Sequence, residues 1–196
     1  LLTEEIEAAY DGTLPEPPRL QYADFAAWQR SALTGDKGRA ALQWWMQRLA
    51  GAPALSTFPS GVIAPPASGE RPAHTFDFRL DAALAERVRR MARAGGATVY
   101  MAFVAAVAVA LRRHTGQTDM VLGSPMGVRD RPEFERMIGP FVNLLLMRID
   151  LSGDPSFAQV LERTRDMVLD AYEHRDVAFE SLLEQLKPAR SLRHSP

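Results

Sequence analysis

The chain has 196 residues, with 23 lysines and arginines against 24 aspartates and glutamates, and no cysteine. The balanced charge gives no electrostatic ground for nucleic acid or a membrane surface as partner, and the lack of cysteine excludes disulfides, thiolate metal sites and cysteine nucleophiles. It suits a reducing compartment, so a cytoplasmic location is expected. A hydrophobic content of 46% is enough for one large core or two small lobes.

In chain order, Leu1–Glu5 carries no leader pattern of basic then apolar residues. The chain opens inside an amphipathic helix with Leu2, Ile6 and Ala9 on one stripe, so its start is expected to be a cut through a larger protein. Gly12, Pro15, Pro17 and Pro18 predict a loop. Two helices follow, one over about 20–33 with Tyr22, Phe25, Ala26 and Trp28 near one face, the other over about 37–50 with Leu42, Trp45 and Leu49 in register. Gly51-Ala52-Pro53 stops the second, and the proline-rich stretch 52–72 reads as a linker. His74–Leu80 alternates strictly, which predicts a half-buried strand near a sheet edge.

Asp81 is placed to cap a helix running to Arg93, ended by Gly95-Gly96. Thr98 caps the next, to about His114, which is apolar nearly all round and is expected to be surrounded by protein. Its apolar run, Val99–Leu111, is too short to span a bilayer. Met120–Pro125 and Phe141–Leu151 predict strands; Leu144-Leu145-Leu146 lacks alternation, which predicts a strand covered on both faces. Asp154 and Pro155 read as cap and first residue of a helix burying Phe157, Val160, Leu161, Thr164, Val168 and Ala171. A short helix at 178–186 ends at Pro188. The class is α/β with mixed sheet order, without internal repeats.

A search for chemistry on the residues alone finds no active site. The four histidines, His74, His114, His174 and His194, are not at metal spacing, and no P-loop, GxGxxG, GxSxG or HExxH pattern is present. No metal site is expected. Trp28, Trp44 and Trp45 fit core or interface better than a substrate channel. Asp24 fits a structural acceptor, His174 a local cap at a helix end, and Met101, Met120, Met126, Met137 and Met147 core filling. Asn143, polar in an apolar strand, must be satisfied by a neighbouring loop or across a cleft. Ser124 lies at a strand end, where sites often sit.

Four runs carry a resemblance. Tyr22-Ala23-Asp24-Phe25-Ala26-Ala27-Trp28 resembles YxDYAxW, Ile138-Gly139-Pro140-Phe141-Val142-Asn143 resembles IGxFVNT, His174–Glu180 resembles HQDxPFE, and Arg190–Pro196 resembles RDxSxNP. Gly116–Asp119, Gly123–Pro125 and Arg129–Glu133 fit between them. Together, in this order, they resemble the condensation domains of nonribosomal peptide synthetases.

The resemblance implies a chloramphenicol-acetyltransferase-like fold of two lobes in a V, incomplete at both ends. Residues 1–60 would be the end of the N-terminal lobe, 61–73 a linker and 74–196 an incomplete C-terminal lobe. It implies amide formation between a donor acyl or peptidyl thioester and an acceptor aminoacyl thioester. Both ride on phosphopantetheine of peptidyl carrier protein domains, and no cofactor is bound directly. The catalytic HHxxxDG motif is expected upstream of Leu1, so no catalytic residue is expected in this chain and the chain alone is expected to be inactive. Arg129 would support the histidine loop by pairing with its aspartate. Ser124 and Asn143 are candidates for the cleft or the pantetheine channel. The implied partners are carrier domains, a neighbouring adenylation domain and the missing N-terminal part of the same domain. The alternatives are a heterocyclisation, epimerisation or ester-forming relative, a noncatalytic domain that recruits a carrier or another enzyme, or a free-standing acyltransferase. The sequence departs from the family pattern at Leu144 (often Thr), Ala178 (Pro), Arg175 (Gln) and Val128 (Asn).

Overall fold

The computed structural model describes residues 1–14, 16–53 and 75–187. The expected linker at 61–73, His74, the Pro188 stop and the Arg190–Pro196 run lie outside them. Helices α1 (Leu2–Tyr10), α2 (Tyr22–Thr34) and α3 (Asp36–Leu49) come first. Asp24 accepts from the Gln21 amide at 2.8 Å and so closes the first turn of α2, a structural role. Helix α4 (Ala82–Ala94) starts where Asp81 accepts from the Leu84 amide at 2.7 Å. Helix α5 (Val99–Thr115) starts at Thr98, whose hydroxyl accepts from the Met101 amide, and ends at Gly116 in the left-handed region with φ +74°.

Strands β1 (Asp119–Gly127) and β2 (Val142–Asp150) pair antiparallel, Asp119 opposite Asp150 and Gly127 opposite Val142. A single 3-10 turn at Pro132–Phe134 lies between them. Helices α6 (Phe157–Glu173) and α7 (Phe179–Leu186) follow. A two-stranded ribbon is not stable alone, and here α6 covers it. Val160, Leu161, Met167 and Val168 join Leu145, Met147 and Ile149 in one core, with Met101, Ala105 and Ala108 from α5 and Trp45 and Leu49 from α3. Each such fully buried large side chain contributes roughly 1.5–3 kcal/mol. The Trp45 indole donates to the His174 carbonyl at 2.9 Å, while Trp44 stacks on the His174 ring at 4.0 Å. No single helix among the described residues is long and apolar enough to cross a membrane.

Four expectations are corrected. Residues 75–80 form no strand: Phe76 is 86% and Phe78 69% exposed, because the backbone here pairs with no strand among the described residues. Among the described residues, strand β2 is not covered on both faces. Asn143, Leu145, Met147 and Ile149 are buried beneath the helices, whereas Leu144 and Leu146 on the opposite face are half-buried. Among the described residues helix α5 is not enclosed, since Val99, Tyr100, Phe103 and Val107 are exposed. The cap of α6 is Ser156, not Asp154. Ser156 and Gln159 satisfy each other's amides reciprocally, and Asp154 takes φ +48° in the preceding turn.

Two ion pairs sit at one end of the ribbon: Arg148–Asp119 joins the two strands, and Arg163–Asp150 ties β2 to α6. The Arg148 guanidinium binds Asp119 through Nε and Nη2, and its Nη1 donates to the carbonyls of Arg48 at 3.1 Å and Ala50 at 2.7 Å, clipping the end of α3 to the sheet. At the end of β2, Asp150 accepts from the Ser152 amide at 2.8 Å and from its hydroxyl at 3.0 Å. These bonds, with the Arg163 and Arg148 charges, hold the Asp150 carboxyl below its ordinary value of 3.8. A depressed carboxyl stabilises the fold above the unfolded value, and that share is lost as pH falls below about 4. In urea titrations at pH 5 and pH 3, Asp150→Asn is therefore expected to lose less stability between the two than the parent chain.

Candidate functional site

Three of the four motif runs meet at one place. The α2 face presents Tyr22, Phe25 and Trp28 to the loop between the strands. The Phe25 ring lies 4.6 Å from Phe141 and 5.0 Å from Phe134, and Tyr22 meets Phe141 edge-on at 5.3 Å. Such pairs contribute about 0.5–1.5 kcal/mol each beyond area burial. Phe25, Phe134, Met137 and Phe141 are buried as a second core, apart from the main one. Gly139 is required by contact: a Cβ there would lie 2.2 Å from Tyr22 Cδ2, so the ring rests on the bare backbone.

Asn143 joins the third run. Its Nδ2 donates to the carbonyls of Arg175 at 3.0 Å and Val177 at 2.8 Å; its Oδ1 accepts from the amides of Leu144 at 2.9 Å and Phe179 at 3.0 Å. Both donors and both lone pairs are thereby engaged with backbone, which satisfies the group in a 7% exposed position. The Arg175 guanidinium also reaches Asp130 at 3.1 Å.

Arg129 lies just beyond β1. Its Nη1 donates to the carbonyls of Phe134, Glu135 and Met137, and its guanidinium sits 4.2 Å over the Phe141 ring. Its Nε and Nη2 make no hydrogen bond among the described residues. Ser124 lies on the same face of the ribbon as Asn143, opposite Leu145, and its Oγ is 2.6 Å from the Tyr100 hydroxyl. The structure thus sets Arg129 over the Phe141 ring, Asn143 two residues further along in β2, and Ser124 against Tyr100 at the start of α5. His174 is a local cap, its Nδ1 2.8 Å from the Asp170 carbonyl.

Sequence reasoning missed Tyr100, Phe134 and Asp130. Tyr100 is hidden in the apolar run of α5, and nothing in that run marks it. Phe134 stands as an isolated aromatic among charges in Asp130–Arg136, a usable hint. Among the described residues no three of His, Asp and Glu are grouped to hold a metal. Two hollows flank Trp28. One, of about 280 Å³, is lined by Leu20, Phe25, Trp28, Phe134 and Met137, with Asp24, Arg131 and Glu133 at its rim; the other, of about 50 Å³, lies toward Asp130 and Arg175.

Solved condensation domains superpose on this arrangement of helices and ribbon, so the chain has part of the chloramphenicol-acetyltransferase-like fold. The Condensation domain profile matches residues 1–196, and the chain belongs to that family. It is 42% identical over 184 residues to one of the linear gramicidin synthase proteins of Brevibacillus parabrevis, covering 93% of this chain and 2% of that protein. The X-domain from teicoplanin biosynthesis superposes with a TM-score of 0.85 at 34% identity, over 96% of this chain and 43% of that one. The X-domain in its complex with OxyB matches equally well. The chain thus spans less than half of the X-domain and a small fraction of the gramicidin synthase.

Two single variants and one double variant test the geometry. Asn143→Ala strands four backbone groups and is expected to cost about 2–4 kcal/mol in urea unfolding, with faster hydrogen exchange at the Phe179 amide. Gly139→Ala is expected to cost about 1–3 kcal/mol by overpacking against Tyr22, and the double variant Gly139→Ala, Tyr22→Ala is expected to lose less than the sum of the two single changes.

Proposed function

We propose that the chain is part of a nonribosomal peptide synthetase condensation domain that forms an amide between two carrier-bound substrates. The acceptor amine attacks the carbonyl carbon of the donor thioester. A C–N bond forms, the C–S bond breaks, and the donor arm leaves as a thiol that takes up a proton in place of the one the amine loses. Both substrates arrive on phosphopantetheine arms of carrier domains. The observation that carries this reading is the family match over the whole chain, joined to the convergence of three motif runs on Phe141 and Asn143.

In this reading the described residues supply the frame, and the acid–base group is the histidine of an HHxxxDG motif elsewhere in the polypeptide. Arg129 offers that motif's aspartate a free Nε/Nη2 edge, the geometry a carboxylate takes from guanidinium. Ser124 contributes a hydroxyl to the pantetheine channel, and Asn143 shapes the channel by holding the 175–179 turn. Residues 1–60 and 74–196 belong to the two lobes joined by 61–73. A neighbouring adenylation domain and a cytoplasmic setting complete the proposal.

A second reading is favoured by one observation: an X-domain with this fold is solved together with OxyB. In that case the domain recruits another enzyme and forms no bond.

Mass spectrometry of the acceptor carrier, after incubation of the intact synthetase with loaded donor and acceptor, separates the two. Transfer supports condensation; no transfer combined with binding of an accessory enzyme supports recruitment. The 196 residues alone are expected to give no transfer. Arg129→Lys keeps the charge and loses the fork. In the intact protein it is expected to lower transfer about a hundredfold with little change in melting temperature; unchanged transfer would remove Arg129 from the mechanism.

A further inference from the structure

Tyr100 is the one polar side chain in the apolar run Val99–Leu111. It is 38% exposed, yet its hydroxyl turns to the ribbon, 2.6 Å from Ser124 Oγ of β1 and 3.5 Å from Met147 Sδ of β2. A phenol has one proton to give, and it is the stronger acid of the two hydroxyls, so Tyr100 donates and Ser124 accepts. The thioether sulfur is the weaker acceptor and stands further off. The proton of the Ser124 hydroxyl is then left with no acceptor among the described residues. A hydroxyl that accepts one hydrogen bond donates the next more strongly. The ground around the pair is neutral. Leu122 and Met126 flank Ser124 on the same face of β1, with Leu145 opposite, and Phe103 and Val107 continue the exposed stripe of α5 from Tyr100. Burial and, to a smaller extent, the Tyr100 phenol raise Tyr172 of α6 above its ordinary 10.0, so it too stays uncharged at neutral pH.

We infer that Tyr100 is a positioning residue: it occupies one lone pair of Ser124 and so fixes that hydroxyl as a donor to a carbonyl oxygen of the pantetheine-borne substrate. The inference rests on the condensation reading, which supplies the substrate. A neutral acceptor suits a donor on uncharged ground, and a loaded pantetheine arm offers two kinds, its thioester carbonyl and its amide carbonyls. Without Tyr100 the Ser124 hydroxyl would be free to rotate and to accept as readily as donate.

The test titrates S-acetyl-pantetheine and S-ethyl-pantetheine onto the intact synthetase and onto its Tyr100→Phe, Ser124→Ala and double variants. The two probes share the arm and differ in the thioester carbonyl. Tyr100→Phe keeps the ring and removes only the hydroxyl, so the melting temperature is expected to hold. Kd for the acetyl probe is expected to rise about three- to tenfold in each single variant. The double variant is expected to bind no worse than Ser124→Ala alone, because Tyr100 acts through that one oxygen. If the ethyl probe is unaffected, the acceptor is the thioester carbonyl; if both probes weaken alike, it is an amide carbonyl of the arm. Losses that add in the double variant would make Tyr100 a packing residue and overturn the inference. Unchanged binding in Tyr100→Phe, or a parent protein that binds neither probe, would overturn it as well. A parent that shows this binding pattern yet forms no amide would uphold the Tyr100–Ser124 pair while the condensation reading failed.

Discussion

Four hydrogen bonds from one buried side chain hold the functional end of this chain together. Asn143 sits in a strand whose neighbours on the same face are leucine, methionine and isoleucine, where an unpaired amide would be costly. It is tolerated because the 175–179 turn brings two carbonyls and one amide to it, and its own neighbour supplies the other amide. The turn in turn sets the start of α7 and the position of Arg175, which reaches Asp130 in the loop that carries Arg129 and Arg131. Removing the amide would free the turn, the helix start and the loop together, since they share it as partner.

The aromatic clasp works on the other side of the same strand end. Tyr22, Phe25 and Trp28 come from the helix; Phe134 and Phe141 come from the loop. The contact is close because Gly139 has no side chain. Motif runs far apart in the sequence therefore have a shared physical cause: each supplies one part of a single joint. The Arg129 and Arg131 guanidiniums each lie over a ring of that joint, so both are positioned by aromatic packing, and Arg129 by hydrogen bonds as well.

Much of this was legible in the sequence, and the reasons differ by element. Asp81 and Thr98 announced their helices because capping is local chemistry, written within four residues. The roles of Asp24 and His174 were local for the same reason. Asn143 stood out as a polar residue that its strand would have to satisfy, although which turn does so is a long-range fact no pattern holds. Where reading failed, a competing partner decided. Ser156 and Gln159 form a reciprocal cap that Asp154 cannot match. The Leu144–Leu146 run suggested burial on both faces, but coverage depends on which helices arrive, and among the described residues only one face receives them. Tyr100 beside Ser124 was invisible because a tyrosine in an apolar helix looks like packing until its hydroxyl finds a partner. The motifs identified the family, yet they gave no sign that three of them touch.

The unpaired segment at 75–80 bears on how these 196 residues behave on their own. Phe76 and Phe78 are exposed, and the β1–β2 ribbon has outer edges with no partner among the described residues. Extended apolar chain and open strand edges complete one another between molecules as readily as within one. Intermolecular strand addition is thus the natural route by which isolated copies would self-associate.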